Sequence, residues 1–216
     1  MPPASKSRFP VVGVLALQGD FASHAQALEA AGAEPRMVRT KEGLAGIDGL
    51  VIPGGESTTF LKLLEREGLF EPLLEFTQTR PTFGTCAGCI LLAKKVSGPE
   101  QESLGVLDAT VERNAYGRQI DSEILTAETS LPGGPMEMVF IRAPRIAEVG
   151  KEVDVLAARN GAPVLVRQRN LLAATFHPEL SEDTRIHRYF LDMLREASSS
   201  IGDPAQTVPV STSSGQ

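Results

Sequence analysis

The sequence predicts an α/β protein, a three-layer, doubly wound arrangement in which helices cover both faces of a mostly parallel sheet, with antiparallel additions. Two observations predict this class. Short apolar runs rich in Val, Ile and Leu alternate with helical patterns over residues 11–95, a rhythm typical of βαβ units. Between residues 105 and 168, strand-like pieces separated by Gly and Pro indicate antiparallel strands added to the same domain.

The predicted elements follow from local patterns. A buried strand is expected at 11–17, and the helix at 21–31 ends before a glycine, which suits a helix C-terminus. A last amphipathic helix at 184–196 places its apolar residues on one side. The other predicted strands span residues 35–39, 50–52, 82–84, 106–111, 120–125, 138–142, 153–159, 164–168 and 171–176, and the other helices span residues 58–67, 72–78 and 89–95.

One domain is predicted at residues 11–196, between a disordered leader at 1–10 and a disordered tail at 197–216. The tail is rich in Ser, Pro, Thr and Gly and has little apolar surface to bury. Basic residues before the first apolar run are also found in signal peptides. That run ends in Gln18-Gly19-Asp20 rather than in a small-residue cleavage site, which favours a buried first strand.

The composition excludes several classes of partner. The net charge of −6 comes from acidic and basic residues spread along all 216 residues, so no basic surface is expected to bind nucleic acid. No apolar stretch approaches the ~20 residues that a membrane-spanning helix needs, so no membrane partner is expected. The two cysteines cannot form a disulfide framework, which favours a reducing compartment, the cytoplasm.

A candidate nucleophile lies in Gly84-Thr85-Cys86-Ala87-Gly88, between a predicted strand and a predicted helix. This is the nucleophile-elbow pattern with cysteine in place of serine, in which small flanking residues let strand and helix approach closely. The thiolate of Cys86 would lie at the start of a helix, and the N–H of Ala87 would point towards a developing oxyanion. The alternative is a cysteine that only packs in the core, and the flanking glycines favour the nucleophile.

Cys86 and Cys89 also form a C-x-x-C pair, which thiol-disulfide oxidoreductases place at a helix start. The pair follows several strands and helices rather than the first unit, and its Ala-Gly spacer has no special chemistry. A redox site would also leave the other candidate residues unexplained. The oxidoreductase is therefore kept as a minor alternative.

His177 is the candidate base among the three histidines of the chain. It follows a predicted strand, and Pro178 favours an extended conformation, which would place the side chains of His177 and Glu179 on the same side. The carboxylate of Glu179 would then orient the imidazole for general acid–base catalysis. His24 and His187 lie in predicted helices, where histidines that are satisfied by neighbours or solvated are the ordinary finding.

The segment at 53–59, Pro-Gly-Gly-Glu-Ser-Thr-Thr, also follows a strand and opens a helix. Gly54 and Gly55 could present backbone N–H groups to an oxyanion or a carboxylate, and Ser57 could cap the helix. The alternative is an ordinary βα turn. Because the segment lacks the lysine of a Walker loop, nucleotide hydrolysis is not indicated.

Six blocks of the chain resemble the class I (triad) glutamine amidotransferases, and within them the glutaminase subunits of pyridoxal 5′-phosphate synthases. The blocks are 13–19 (GVLALQG), 53–59 (PGGESTT), 84–88 (GTCAG), 111–114 with 117–119 (VERN and GRQ), 140–144 (FIRAP) and 176–180 (FHPEL). The cysteine elbow and the His-Pro-Glu block are common to the wider class, and the other blocks narrow the resemblance. It implies a flavodoxin-like fold.

The resemblance implies hydrolysis of L-glutamine to glutamate and ammonia through a thioester on Cys86, with His177 and Glu179 completing the triad. It implies that glutamine is held by Gly55, Glu56, Ser57, Arg113, Ile141 and Arg142. Gln18 resembles a family residue near the oxyanion site that is linked to activation by the partner. No metal or organic cofactor is implied.

The implied partner is a synthase subunit that receives the ammonia and builds pyridoxal 5′-phosphate. In the family, up to twelve glutaminases bind a dodecameric synthase core, and the glutaminase is nearly silent without it. A glutaminase that serves another synthase would share the triad, and a non-catalytic binding subunit would keep the fold with an unreactive Cys86. The resemblance assigns no catalytic role to Cys89, which is expected to pack.

Overall fold

The computed structural model of the protein describes residues 9–115 and 122–201. Twelve strands are found in these ranges: β1 (Val11–Leu15), β2 (Glu34–Val38), β3 (Gly49–Ile52), β4 (Thr82–Thr85), β5 (Ala93–Ser97), β6 (Leu107–Glu112), β7 (Ser122–Ala127), β8 (Met136–Ile141), β9 (Arg145–Val149), β10 (Asp154–Arg159), β11 (Ala162–Gln168) and β12 (Leu171–Ala174). The α-helices of the same ranges are α1 (Phe21–Ala31), α2 (Ser57–Arg66), α3 (Phe70–Thr79), α4 (Ala87–Leu92) and α5 (Arg185–Ile201).

A seven-stranded sheet forms the centre, in the order β10-β11-β12-β4-β3-β1-β2. The five strands from β12 to β2 are parallel, and β11 and β10 continue the sheet in antiparallel pairing. A three-stranded sheet, β5-β6-β9, and a hairpin of β7 and β8 are added to it. The predicted α/β class, with a mostly parallel sheet and antiparallel additions, is confirmed.

Both faces of the central sheet are buried. Val11 and Leu15 of β1 pack in a cluster with Phe60 of α2, whereas Val12 and Val14 point to the opposite face. The second cluster contains apolar residues of α1 and α5. This alternation along one strand, with period two, explains why the parallel strands read as continuous apolar runs.

The carboxyl ends of β3, β4 and β12 meet at one edge of the sheet, because β4 lies between the other two and all three are parallel. Each end leads into a predicted site segment: Pro53 follows β3, Cys86 follows β4, and His177 comes three residues after β12. In open α/β sheets this edge is where ligands bind. The topology therefore brings the candidate residues together.

Several predicted boundaries differ from the structure. The helix predicted at 89–95 ends at Leu92, and residues 93–95 begin β5, in which Lys94 and Lys95 point to solvent. Strand β9 was not predicted, and β12 ends at Ala174, short of residue 176. Helix α5 continues through residues 197–201, which the sequence assigned to the tail.

Four parts of the sequence predictions lie outside the described residues: most of the leader, the block at 117–119, the first two residues of the strand predicted at 120–125, and the tail from residue 202. The domain limits at 11 and 196 therefore remain a prediction. In the part of the chain that the structure describes, none of the helices combines the length and the apolar character that crossing a membrane requires.

Candidate active site

Cys86 occupies a strained turn between β4 and α4. Its backbone has φ 48° and ψ −103°, a conformation that residues with a side chain rarely adopt. Two hydrogen bonds hold the turn: the N–H of Cys86 donates to the carbonyl of Ala174 at 2.9 Å, and the N–H of Ile90 donates to the carbonyl of Cys86 at 3.2 Å. The turn is thus tied both to the neighbouring strand and to its own helix.

The glycines on either side of the turn are sterically required. A Cβ on Gly88 would lie 2.1 Å from the carbonyl oxygen of Ile52, and a Cβ on Gly84 would lie 2.6 Å from the backbone of Gly88. Both contacts are with backbone atoms, which cannot move aside cheaply. The close approach of strand and helix that the elbow pattern predicts is therefore present.

His177 and Glu179 form a buried pair, with Nδ1 of the histidine 2.8 Å from Oε1 of the carboxylate. His177 itself has φ −109° and ψ 83°, but the extended backbone expected to continue to Glu179 is wrong, because Pro178–Leu180 form a 3-10 turn. A short turn places both side chains on the same side as well. The N–H of His177 donates to the carbonyl of Val139 in β8 at 2.8 Å, which fixes the start of the turn.

The charge on His177 is stabilised from two sides. Burial opposes the charge, but hydrogen bonds and negative charges at Cys86 and Glu179 outweigh it and raise the pKa of His177 to about 10. At neutral pH the imidazole is therefore protonated. The geometry is that of an imidazolium between a sulfur nucleophile and a carboxylate.

The loop after β3 packs against both the Cys86 turn and the ring of His177. A Cβ on Gly54 would lie 2.4 Å from Cε1 of His177 and 3.3 Å from Cβ of Cys86, so its backbone faces both side chains. Gly55 has φ +147°, and the site of its missing Cβ lies 3.1 Å from the side-chain amide of Gln18. That amide donates to the carbonyl of Glu56 at 2.6 Å, which holds the loop against the segment after β1.

Glu56, rather than Ser57, caps helix α2. The Glu56 carboxylate accepts hydrogen bonds from the N–H groups of Thr58 and Thr59 at 3.1 and 2.8 Å. Partial burial opposes ionisation, but the hydrogen bonds from Thr59 and Thr58 outweigh it and lower the pKa of Glu56 to about 2. Ser57 donates instead to Oε1 of Gln101 at 2.8 Å. The glutamate side chain reaches the first helical N–H groups, so the serine is free to point elsewhere.

Arg113 is held beside this cap. Its guanidinium donates to Oγ1 of Thr58 at 2.8 Å and to the Glu56 carboxylate at 3.3 Å. The Arg113 side chain is only 14% exposed, whereas that of Glu56 is 57% exposed. A cation and an anion thus lie side by side at the rim of the site, which suits the carboxylate and ammonium groups of an amino acid.

A pocket of about 230 Å³ brings the predicted substrate residues together. It is smaller than the ~300–1,000 Å³ pockets of drug-sized ligands, so it suits a molecule of amino-acid size. Its lining comprises Gly55, Glu56, Ser57, Cys86, Ile90, Arg113, Asn114, Ile141, Arg142 and His177. All six residues predicted to hold glutamine are among them, together with the candidate nucleophile and the candidate base.

Ile90 and Asn114 also line this pocket, and the sequence analysis missed both. Their positions could have indicated them: Ile90 lies one helical turn after Cys86, and Asn114 follows Arg113. Arg142 has a positive φ of 43°, which marks a constrained backbone beside the pocket. The Gly117-Arg118-Gln119 block lies outside the described residues.

Cys89 differs from Cys86 in that it does not line the pocket. It is completely buried among apolar residues, and burial, with a smaller contribution from the charge of Cys86, raises the pKa of the Cys89 thiol to about 12. A thiol that stays protonated and has no access to solvent is a poor redox partner. This environment argues against the dithiol oxidoreductase and fits the expected packing role.

His24 and His187, to which the sequence pattern gives no special role, lie next to each other behind the site. The structure buries both completely, with Nε2 of His24 3.2 Å from Oε2 of Glu179 and Nδ1 of His24 3.2 Å from Nε2 of His187. They are 163 positions apart in the chain, and no local pattern pairs them. Only the packing of α1 against α5 brings them together.

The family model described as the SNO glutamine amidotransferase family matches residues 14–196. The chain belongs to this family. The matched range contains the elbow and the His-Pro-Glu turn, and the family assignment agrees with the resemblance found in the sequence.

Named relatives and a solved structure narrow the comparison. The chain is 64% identical over 188 residues to the "Pyridoxal 5'-phosphate synthase subunit PdxT" of Koribacter versatilis, covering 87% of this chain and 97% of the relative. It is 55% identical to the protein of the same name from Solibacter usitatus, covering 85% and 98%. A crystal structure described as a glutamine amidotransferase matches with a TM-score of 0.80 at 50% identity, covering 85% of this chain and 98% of that one.

Proposed function

We propose that this chain is a glutaminase, which hydrolyses L-glutamine to L-glutamate and ammonia. One observation carries the proposal: Cys86 stands on a strained elbow in the same small pocket as His177, whose Nδ1 is hydrogen-bonded to Glu179. A cysteine, a histidine and an orienting carboxylate are the components of thiol amidolysis. Membership of the glutamine amidotransferase family supports the choice of amide.

The first half of the reaction forms a thioester. The sulfur of Cys86 attacks the side-chain amide carbon of glutamine, and the negative oxygen of the tetrahedral intermediate is met by N–H groups of Ala87 and Gly54. The C–N bond then breaks, and the proton on His177 leaves with the ammonia. The raised pKa of His177 supports this step, because the proton is in place before the substrate arrives.

The second half consumes water. Neutral His177 takes a proton from water, the resulting hydroxide attacks the thioester, and the C–S bond breaks to give glutamate and the Cys86 thiolate. Because Glu179 contacts Nδ1, it keeps the same edge of the imidazole ring turned towards the sulfur in both halves of the reaction. The ion pair of Arg113 and Glu56, with Gly55, Ser57, Ile141 and Arg142, is proposed to hold the α-amino acid end of glutamine.

We further propose that the ammonia passes to a pyridoxal 5′-phosphate synthase, for vitamin B6 biosynthesis. The relatives at 64% and 55% identity, both named as subunits of that synthase, support this partner. The resemblance adds a dodecameric core that binds up to twelve glutaminases. Because Gln18 holds the loop that carries Gly54, it is the proposed link between partner binding and the oxyanion site. Both cysteines are free thiols, which supports a location in a reducing compartment, the cytoplasm.

Glutamate release tests the proposal. The purified chain is assayed with glutamine alone and after mixing with a pyridoxal 5′-phosphate synthase core, beside Cys86→Ala as the inactive variant and Cys89→Ala as the matched control. Release that rises on mixing, disappears with Cys86→Ala and persists with Cys89→Ala supports the enzyme, its nucleophile and its partner. No release from folded protein in any mixture contradicts the proposal. Equal release with and without the core contradicts the partner-dependent oxyanion site.

A further inference from the structure

A line of buried polar side chains continues from the triad into the protein. Oε1 of Glu179 contacts His177, and Oε2 has no fully formed hydrogen bond to any described residue. Nε2 of His24 lies 3.2 Å from this second oxygen, and Nδ1 of His24 lies 3.2 Å from Nε2 of His187. The proposed mechanism uses neither His24 nor His187, and both are fully buried.

His24 contacts two residues of the site, Thr85 and Glu179, from the side of the protein interior. Its Nε2 is 3.0 Å from Oγ1 of Thr85, the residue directly before Cys86, as well as 3.2 Å from the Glu179 carboxylate. His24 is on α1 and His187 is on α5, which pack on the same face of the sheet. The line therefore connects the triad to two helices that lie away from the substrate pocket.

Both histidines are neutral at physiological pH. Burial, the neighbouring His187 and the charge on His177 lower the pKa of His24 well below its ordinary value, and burial lowers the pKa of His187 to about 4. A neutral imidazole has one N–H donor and one acceptor nitrogen. The two tautomers of each ring can therefore be compared by counting satisfied groups.

In one arrangement, His187 Nε2–H donates to His24 Nδ1, and His24 Nε2–H faces Glu179 Oε2 and Thr85 Oγ1. The two atoms without a hydrogen-bond partner among these described residues, Nδ1 of His187 and Oε2 of Glu179, are then both acceptors, and Oε2 faces an N–H at 3.2 Å. In the reverse arrangement, His187 buries an N–H without a partner, and a lone pair of His24 faces the carboxylate oxygen at 3.2 Å. A buried donor without a partner and a repulsive contact are both costly, so the first arrangement is favoured.

We propose that His24 and His187 are positioning residues of the triad: His187 holds His24 as its Nε2–H tautomer, and this N–H, hydrogen-bonded to Thr85 Oγ1, lies 3.2 Å from the second oxygen of Glu179. The carboxylate is then held electrostatically at both oxygens, one beside His177 and one beside His24. This deepens the proposed glutaminase function and rests on it for the kinetic consequence. The tautomers themselves are independent of any activity.

The first test is NMR of the full chain labelled with ¹⁵N-histidine. Because the chain has three histidines, six ring nitrogens cover every imidazole. The expected result at pH 7 is an Nε2–H tautomer for both His24 and His187, and a doubly protonated ring for His177. A charged His24, or an Nδ1–H tautomer of it, overturns the proposal even if the chain is an active glutaminase.

The second test compares variants of His24 in the complex with the synthase. The amide of His24→Gln can still donate where Nε2–H does, whereas His24→Leu cannot. We expect His24→Leu to lower kcat on the order of 10- to 100-fold with KM little changed, and His24→Gln to restore most of it. Gln26→Leu, an exposed change on the same helix, is the matched control and should keep the wild-type kcat.

The pH profile separates positioning from simple packing. When Glu179 is no longer fixed against His177, the carboxylate raises the pKa of His177 less, so the alkaline limb of kcat moves to lower pH in His24→Leu. The groups that face His24 are Thr85, Glu179 and His187, with His177 beyond the carboxylate. Equal loss in the Leu and Gln variants, or an unmoved alkaline limb in folded His24→Leu, overturns the proposal.

The experiments distinguish failure of the proposed glutaminase function from failure of the proposed positioning role of His24 and His187. If the wild-type chain with the synthase releases no glutamate, the proposed function fails, and the NMR tautomers still decide the arrangement of the histidines. If the wild type is active but His24→Leu equals it in kcat and pH profile, only the positioning role fails. Circular dichroism establishes that each variant is folded, and if His24→Leu does not fold, the tautomers remain the deciding result.

Discussion

Two strand-to-helix turns meet at the site, and they are built in opposite ways. The elbow between β4 and α4 has a strained residue, Cys86, and close backbone packing at Gly84 and Gly88. The turn between β3 and α2 is instead held by an exposed side chain, Glu56, which caps the helix and contacts Arg113. The proposed nucleophile is thus positioned by backbone packing, whereas the groups proposed to bind glutamine are positioned by contacts between side chains.

The largest expected effect is at the backbone of the elbow. Gly88→Ala puts a Cβ 2.1 Å from the carbonyl oxygen of Ile52, so α4 must move away from β3. We expect the free energy of unfolding to fall by on the order of 1–3 kcal/mol. We also expect most of the glutaminase activity to be lost. Urea denaturation and glutamate release measure both.

Gly43→Ala is the matched control for this change, because its added Cβ would meet only the side chain and backbone of Val38, at 3.3 Å or more. It should keep the wild-type activity. If Gly88→Ala is as stable and active as the control, the elbow does not depend on close packing, and the contrast between the two turns is wrong.

The second prediction concerns the charge at the elbow. The pKa of His177 is raised in the folded state from 6.5 to about 10, so its charge stabilises the fold fully below about pH 6.5. That contribution is lost as the pH rises through about 10. The difference in unfolding free energy between the wild type and His177→Gln is therefore expected to shrink between pH 6.5 and 10. A difference that grows over this range contradicts the imidazolium.

At the other turn the expected effect is smaller. Glu56→Ala removes the cap from α2 and should cost about 0.5–2 kcal/mol of stability. It should also raise the KM for glutamine, because Arg113 loses the Glu56 carboxylate and keeps only Thr58 as a partner. Glu56→Gln keeps an acceptor oxygen and should lie between the wild type and the alanine variant. Thermal unfolding and steady-state kinetics check the order, and an unchanged KM in both variants would remove Glu56 from the substrate site.

The smallest effect on activity is expected at the second cysteine. Cys89→Ala should reduce stability by about 1 kcal/mol, because a buried sulfur is lost, and leave glutamate release close to that of the wild type. The two assays used above serve here as well. Loss of activity in a folded Cys89→Ala protein would contradict the packing role and favour the thiol-disulfide oxidoreductase that uses Cys86 and Cys89.

Much of the fold was predictable, because it depends on local patterns. The alternation of apolar runs and helices predicted the parallel sheet, and the flanking glycines predicted the elbow. Strand β9 was missed, since Arg145–Val149 carries charges and buries only Ile146 completely. The end of α4 was missed because apolar residues 90–93 fit a helix and a buried strand equally well.

The site was predictable where function requires neighbouring residues, as in the pair of His177 and Glu179. It was not predictable where partners come from distant helices, as with His24 and His187, or where two side chains compete for one cap, as with Glu56 and Ser57. Such choices depend on the packing of whole elements. The sequence pattern therefore identifies the reacting groups better than the groups that hold them.

The central claim is that Cys86 is the nucleophile towards a glutamine side chain. It is tested most directly by exposing the chain, mixed with the synthase core, to a diazoketone analogue of glutamine and locating the label by peptide mass spectrometry. We predict one label per chain, on Cys86, with protection by excess glutamine and none on Cys89. A label on Cys89, or an unlabelled Cys86 in folded protein, would contradict the claim.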